Sequence, residues 1–131
     1  MRIGWSGWSV DVDDGWTITD HPDCLTLERS VGAALQLSSA RKTSGEVTDA
    51  DLQDFVLEQE DEWGVAAPAQ CGEFSGVVVH YSEEGSLWSR WFLRNGSTLL
   101  FATYNGTPEA AARESDLVNQ VLATASPRSS D

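Results

Sequence analysis

The segment LWSRWFLRNGSTLLFATY, residues 87 to 104, constrains the fold more than any other part of the chain. From Leu87 to Arg94 one parity carries Leu87, Trp91 and Leu93, while the other carries Trp88 and Phe92 between Arg90 and Arg94. Successive strand residues face opposite sides, so large apolar groups on both parities require a layer on each face of the sheet. Asn95-Gly96 is a strong hairpin signal. With "FSGVVVHY" (Phe74 to Tyr81) before it and "TLLFATY" (Thr98 to Tyr104) after it, the region reads as a three-stranded antiparallel meander joined by "SEEGS" and "NGS".

The N-terminal half adds strands and one helix. Trp8, Val10 and Val12 alternate with polar residues, and Trp16 and Ile18 follow "DDG", which predicts a hairpin across Asp13 to Gly15. "DHPD" ends the second of these strands, because proline removes a ladder donor. "CLTLERS" from Cys24 and "AALQLSSARK" from Ala33 supply two more, linked at Val31-Gly32. Thr48 is the expected N-cap of a first helix, with Asp51 three residues on and Val47 and Leu52 in the positions of a hydrophobic staple. Leu52, Phe55, Val56 and Trp63 would share its buried face, Glu58 to Glu62 would face solvent, and Gly64 would close it. "VAAPAQCG" reads as a loop. A last helix starts at Thr107 with Pro108 in its first turn and Leu117, Val118, Val121 and Leu122 as its stripe, leaving residues 126 to 131 as a frayed tail.

These elements predict an α+β fold: one domain over residues 1 to 131, an antiparallel sheet of six or seven strands, and two main helices in an α/β/α-type sandwich. A chain of 131 residues is long enough for one core. No apolar run is long enough to cross a bilayer.

The order of elements resembles the PsbP/Mog-like α+β domains. The residues that carry the likeness are "DDGW" (Asp13 to Trp16), "TDADLQDF" (Thr48 to Phe55) and "LLFATYNG" (Leu99 to Gly106), within a stretch from Trp8 to Ala125. The resemblance implies a non-enzymatic domain that docks to other proteins, as a photosystem extrinsic subunit, a nuclear transport factor, or a companion of bacterial secretion and toxin systems.

Charge narrows the partners. The chain has 21 acidic residues against 8 basic ones, a formal net charge of −13. Nucleic acid rewards clustered Lys and Arg, so it is excluded as a partner, and a membrane surface is not expected either. A basic protein would be attracted by the same field. The N-terminal sequence lacks the pattern of an export signal, which predicts a cytoplasmic protein with Cys24 and Cys71 reduced.

Catalytic signatures are missing from the sequence. His21, Cys24, Cys71 and His80 are the soft metal ligands, but their spacing does not establish a zinc site. "DVDDG" is out of step with a calcium loop and reads as a turn. A nucleophile with a base would need His21 or His80 beside a Ser or Cys, and GxSxG is absent. No cofactor is expected.

The six tryptophans divide. Trp8, Trp16, Trp63 and Trp91 follow apolar parities and read as core. Trp5, between glycines, and Trp88, on a face with two arginines, are candidates for an interface, where Trp and Arg are favoured. A sheet face under a helix is the alternative for Trp88. The expected partner-binding residues are therefore Trp5, Asp13, Asp14, Asp51, Asp54, Glu58, Glu60, Asp61, Glu62 and Trp88. The expected function is a non-catalytic, acidic protein-binding domain, in its most concrete form an immunity protein that neutralises a bacterial toxin. A secretion-effector adaptor or chaperone holding an apolar segment is the second reading. A small-ligand binder or enzyme, with a pocket between sheet and helix and His80 and Tyr81 near its mouth, is the third.

Overall fold

A computed structural model of the chain describes residues 1–5, 7–29, 32–57 and 66–128. The elements run β1 (Arg2–Trp5), β2 (Trp8–Asp11), β3 (Thr17–Asp20), β4 (Leu25–Glu28), β5 (Ala33–Arg41), α1 (Asp49–Leu57), β6 (Ala67–Cys71), β7 (Phe74–Glu83), β8 (Ser86–Asn95), β9 (Thr98–Gly106) and α2 (Pro108–Leu122). Seven strands form one antiparallel sheet in the order β3-β4-β5-β9-β8-β7-β6, and β1 and β2 form a separate ribbon.

The parity of β8 organises the layers. Trp91 and Leu93 join Val78, Leu100, Ala102 and Tyr104 in the main core, which α2 covers with Ala110, Val118, Val121 and Leu122. Phe92 faces the other way, with Val79 and Leu99, beneath Val47 and Leu52 at the start of α1. Both faces of the central strands are thus covered, as the alternation requires.

The helix starts follow the expected chemistry. Asp51 N–H donates to Thr48 Oγ1 at 3.2 Å and Thr48 N–H donates to Asp51 Oδ2 at 2.9 Å, a reciprocal capping box. Val47 and Leu52 are both buried in one cluster, as the staple requires. At α2, Thr107 Oγ1 accepts from Ala110 N–H at 3.2 Å and Pro108 takes the first turn.

Three expectations are corrected. The strands on either side of "DDG" do not pair: β2 pairs with β1 and β3 with β4. The N-terminal "RIGW" supplies the partner of β2 through a turn at Gly7, whose φ is 97°. Asp13 Oδ1 accepts from Gly15 N–H at 2.8 Å, an Asx turn that carries the chain from the ribbon to the main sheet. "VAAPAQCG" is not all loop, since Ala67–Cys71 forms edge strand β6, where Pro68 is tolerated. The start of the tail is not frayed either: Ser126 exchanges backbone hydrogen bonds with Ser9, and Gly7 N–H donates to Arg128 O.

Trp63, residues 58 to 62 and Gly64 lie outside the described residues, and nothing in the structure bears on the helical face expected there. Cys24, at the β3–β4 turn, and Cys71, at the end of β6, lie at opposite edges of the sheet and are free thiols.

Candidate functional site: a cleft between the last helix and the sheet

The first two turns of α2 read "PEAAARES", with no apolar side chain larger than alanine or proline, whereas "LVNQVL" closes the helix. The C-terminal half therefore seals against the core, and the N-terminal half leaves sheet uncovered. The result is a cleft of about 530 Å³ over β7, β8 and the end of β9. Its sheet wall includes His80, Leu87, Ser89, Trp91 and Tyr104, and its helix wall includes Ala111, Ala112, Ser115, Val118 and Asn119. A volume of this size falls among those of binding sites for small ligands and side chains, about 300–1,000 Å³.

Polar groups enter the cleft from both walls. His80 and Ser89 are cross-strand partners, and His80 Nδ1 lies 2.7 Å from Ser89 Oγ. The imidazole also meets the Trp91 ring edge-on, with centroids 6.4 Å apart. Among the described residues, no Lys, Arg, Asp or Glu lines the cleft. Leu87, on its sheet wall, is 41% exposed.

Tyr104 forms the base, with a carboxylate behind it. Its hydroxyl donates to Glu114 Oε1 at 3.1 Å, and Glu114 is only 3% exposed. Burial, and then the neighbouring Glu114 charge, hold the Tyr104 hydroxyl well above the usual phenol range. The proton stays on the phenol, so the pair acts as a fixed strut between α2 and β9. Glu114 was not anticipated, although a sequence signal existed: it lies four residues after Ala110 and four before Val118, within the buried stripe of α2.

The residues singled out in the sequence are placed as follows. Trp5 is half-buried, its ring 6.0 Å from that of Trp8, and packs against the main core. Trp88 stacks on Tyr81 at 5.8 Å with the Arg90 guanidinium 5.5 Å from its ring, and Arg90 Nε donates to Tyr81 Oη at 3.0 Å. Trp5 and Trp88 thus pack in different surroundings rather than in one patch.

Several expected docking carboxylates hold local structure. Asp13 binds Arg29 at 2.8 Å, and the Gly15 amide and that guanidinium lower its pKa. Asp51 closes the capping box and pairs with Lys42 at 2.8 Å; Lys42 first, then the Thr48 amide, lower its pKa. Asp14 and Asp54 are exposed. Glu58, Glu60, Asp61 and Glu62 lie outside the described residues. Among the described residues, no three metal-ligating side chains converge.

The layered sheet and the helices described form an α+β architecture similar to that of PsbP. Among solved structures, the cyanobacterial PsbP (CyanoP) from Synechocystis sp. PCC 6803 superposes with a TM-score of 0.61 at 15% identity, covering 98% of this chain and 92% of that one. A crystal structure from Bacteroides thetaiotaomicron VPI-5482 gives a TM-score of 0.65 at 16% identity over 92% of this chain, which spans only 45% of that protein. No family model and no curated protein sequence matches the chain. Likeness at such identities concerns the fold. Among the described residues, no helix is long and apolar enough to cross a membrane.

Proposed function

We propose that this chain is a non-catalytic binding domain that holds a basic partner protein by seating an uncharged anchor of that partner in the α2 cleft. The observation that carries the reading is a contrast: a chain of net charge −13 has a cleft of about 530 Å³ whose lining, among the described residues, contains no fixed charge. The surrounding field favours a basic surface and speeds its encounter, while the cleft favours apolar area.

The reading puts the seat at the cleft; of the α1 carboxylates expected to dock, Asp51 pairs with Lys42 while Asp54 is exposed. It moves the balance toward the adaptor form, in which an apolar segment is held. The immunity form, with carboxylates standing in for phosphate in a toxin's cleft, rests on the acid surplus alone. A cytoplasmic place of action belongs to the same reading, and cell fractionation checks it.

Ser115 is exposed on α2 beside the cleft, so Ser115→Trp fills the space without entering the core. The test is capture of partners from the native cell with wild-type and Ser115→Trp baits at low and high salt. Loss of a partner with the filled cleft, at both salt levels, supports the reading. A partner kept by the filled variant and released by salt points to the acidic surface instead.

A further inference from the structure

We infer that the anchor taken by the cleft is the side chain of a tyrosine in a basic segment of the partner, its ring on the Trp91 and Tyr104 wall and its hydroxyl on the His80–Ser89 pair. The inference rests on the binding function proposed above and specifies the chemistry of its site.

The polar pair defines the head group. At 2.7 Å one proton lies between His80 Nδ1 and Ser89 Oγ. If the imidazole donates it, the serine hydroxyl keeps its own proton to give and Nε2 accepts; if serine donates it, Nε2 carries the donor and Oγ accepts. Either arrangement leaves one donor and one acceptor for a ligand. A hydroxyl, itself both donor and acceptor, satisfies this pair, whereas a methyl or a bare ring leaves it unmatched at a cost.

Charge removes the competing head groups. A carboxylate or phosphate would enter a cleft with no Lys or Arg among its described lining residues on a molecule of net charge −13. An ammonium group would find no carboxylate among the described lining residues, since Glu114 is buried and accepts from the Tyr104 hydroxyl. An uncharged head remains.

The walls define the body. Trp91 and Tyr104 line the cleft from the sheet, each with only a small part of its side chain open, 7% and 5% exposed, and Ala111 and Ala112 leave room opposite them on α2. Aromatic groups meeting here gain attraction beyond that of their buried area. The basic flanks follow from the net charge of −13.

The test uses three short peptides with identical lysine flanks and a central Tyr, Phe or Leu, together with free 4-methylphenol, titrated into the intact chain. Tyrosine should bind about threefold to tenfold more tightly than phenylalanine, the ratio expected for one net hydrogen bond. Ser89→Ala should erase that ratio, and His80→Phe should do the same from the exposed side of the pair. All binding should be lost in Ser115→Trp. Equal affinities for Tyr and Phe, both abolished by Ser115→Trp, would overturn the hydroxyl while leaving the cleft in place. Binding of 4-methylphenol as tight as that of the tyrosine peptide would overturn a partner segment as the source. Peptide binding untouched by Ser115→Trp would overturn the cleft itself, and this inference with it.

Discussion

His80 and Ser89 face each other across β7 and β8 with 2.7 Å between Nδ1 and Oγ, at a spot open to the α2 cleft. Tyr104, the cross-strand partner of Ser89 on the other side, makes its own hydrogen bond to Glu114 in a buried setting. Two polar pairs from one cross-strand row thus have opposite surroundings, and their replacement should separate binding from stability.

Ser89→Ala should cost less than about 1 kcal/mol, because water reaches the exposed imidazole left behind. Tyr104→Phe should cost about 1–3 kcal/mol, because it takes a donor from a buried carboxylate. Urea denaturation of both variants checks the contrast. Similar losses would mean that the two pairs are equally structural.

Alkaline pH should weaken the fold through two buried acids. Burial pushes the Cys71 thiol from 9.0 up to about 11 and holds the Tyr104 hydroxyl above its ordinary value of 10.0. Between the unfolded and folded pKa, the unfolded chain has released a proton that the native chain keeps, so stability falls as pH rises. The loss should begin near pH 9 and continue through about 11 for Cys71. Cys71→Ala should flatten that part of the profile, and a thiol reagent should modify half-buried Cys24 well before Cys71.

Acid acts in the opposite sense. The Gly15 amide and Arg29 lower the pKa of Asp13, and Lys42 and the Thr48 amide lower that of Asp51. Their stabilisation is present above the unfolded aspartate pKa of about 4 and is lost as pH falls through the lower folded values. Asp51→Asn should therefore reduce the acid dependence of melting, read from melting curves taken across the acid range. Thr48→Ala should cost about 1 kcal/mol at neutral pH by removing the cap.

The β7–β8 turn contains a correctable strain. Glu84 has φ 52° and Gly85 φ 83° between the paired residues Glu83 and Ser86, so both central residues are left-handed, as in a type I′ turn. Asparagine tolerates that conformation better than glutamate. Glu84→Asn should raise stability by about 0.5–1 kcal/mol, read from the denaturation midpoint. A decrease would show that Glu84 holds a contact outside the turn.

Much of the fold was legible because its signals are local. The double parity of β8 called for a covered sheet, and Thr48 with Asp51, and Thr107 with Pro108, set the helix starts. The pairing of β2 was not legible, because "DDG" supports an Asx turn as well as a hairpin and only the whole sheet decides between them. The cleft lay further out of reach. His80 and Ser89 are nine residues apart and meet only through the β7–β8 register, while the opening above them comes from what "PEAAARES" lacks. Trp5 and Trp88 stood out by composition, yet their positions turn on packing that a linear pattern does not carry.

Site-specific photocrosslinking in the native cell tests the central claim most directly, with the photoreactive group placed in turn at Ala112 beside the cleft, at Asp54 on α1 and at Thr19 on edge strand β3. The account predicts a partner crosslink from Ala112 that disappears when Ser115→Trp is added. A crosslink from Asp54 or Thr19 with Ala112 silent would contradict it.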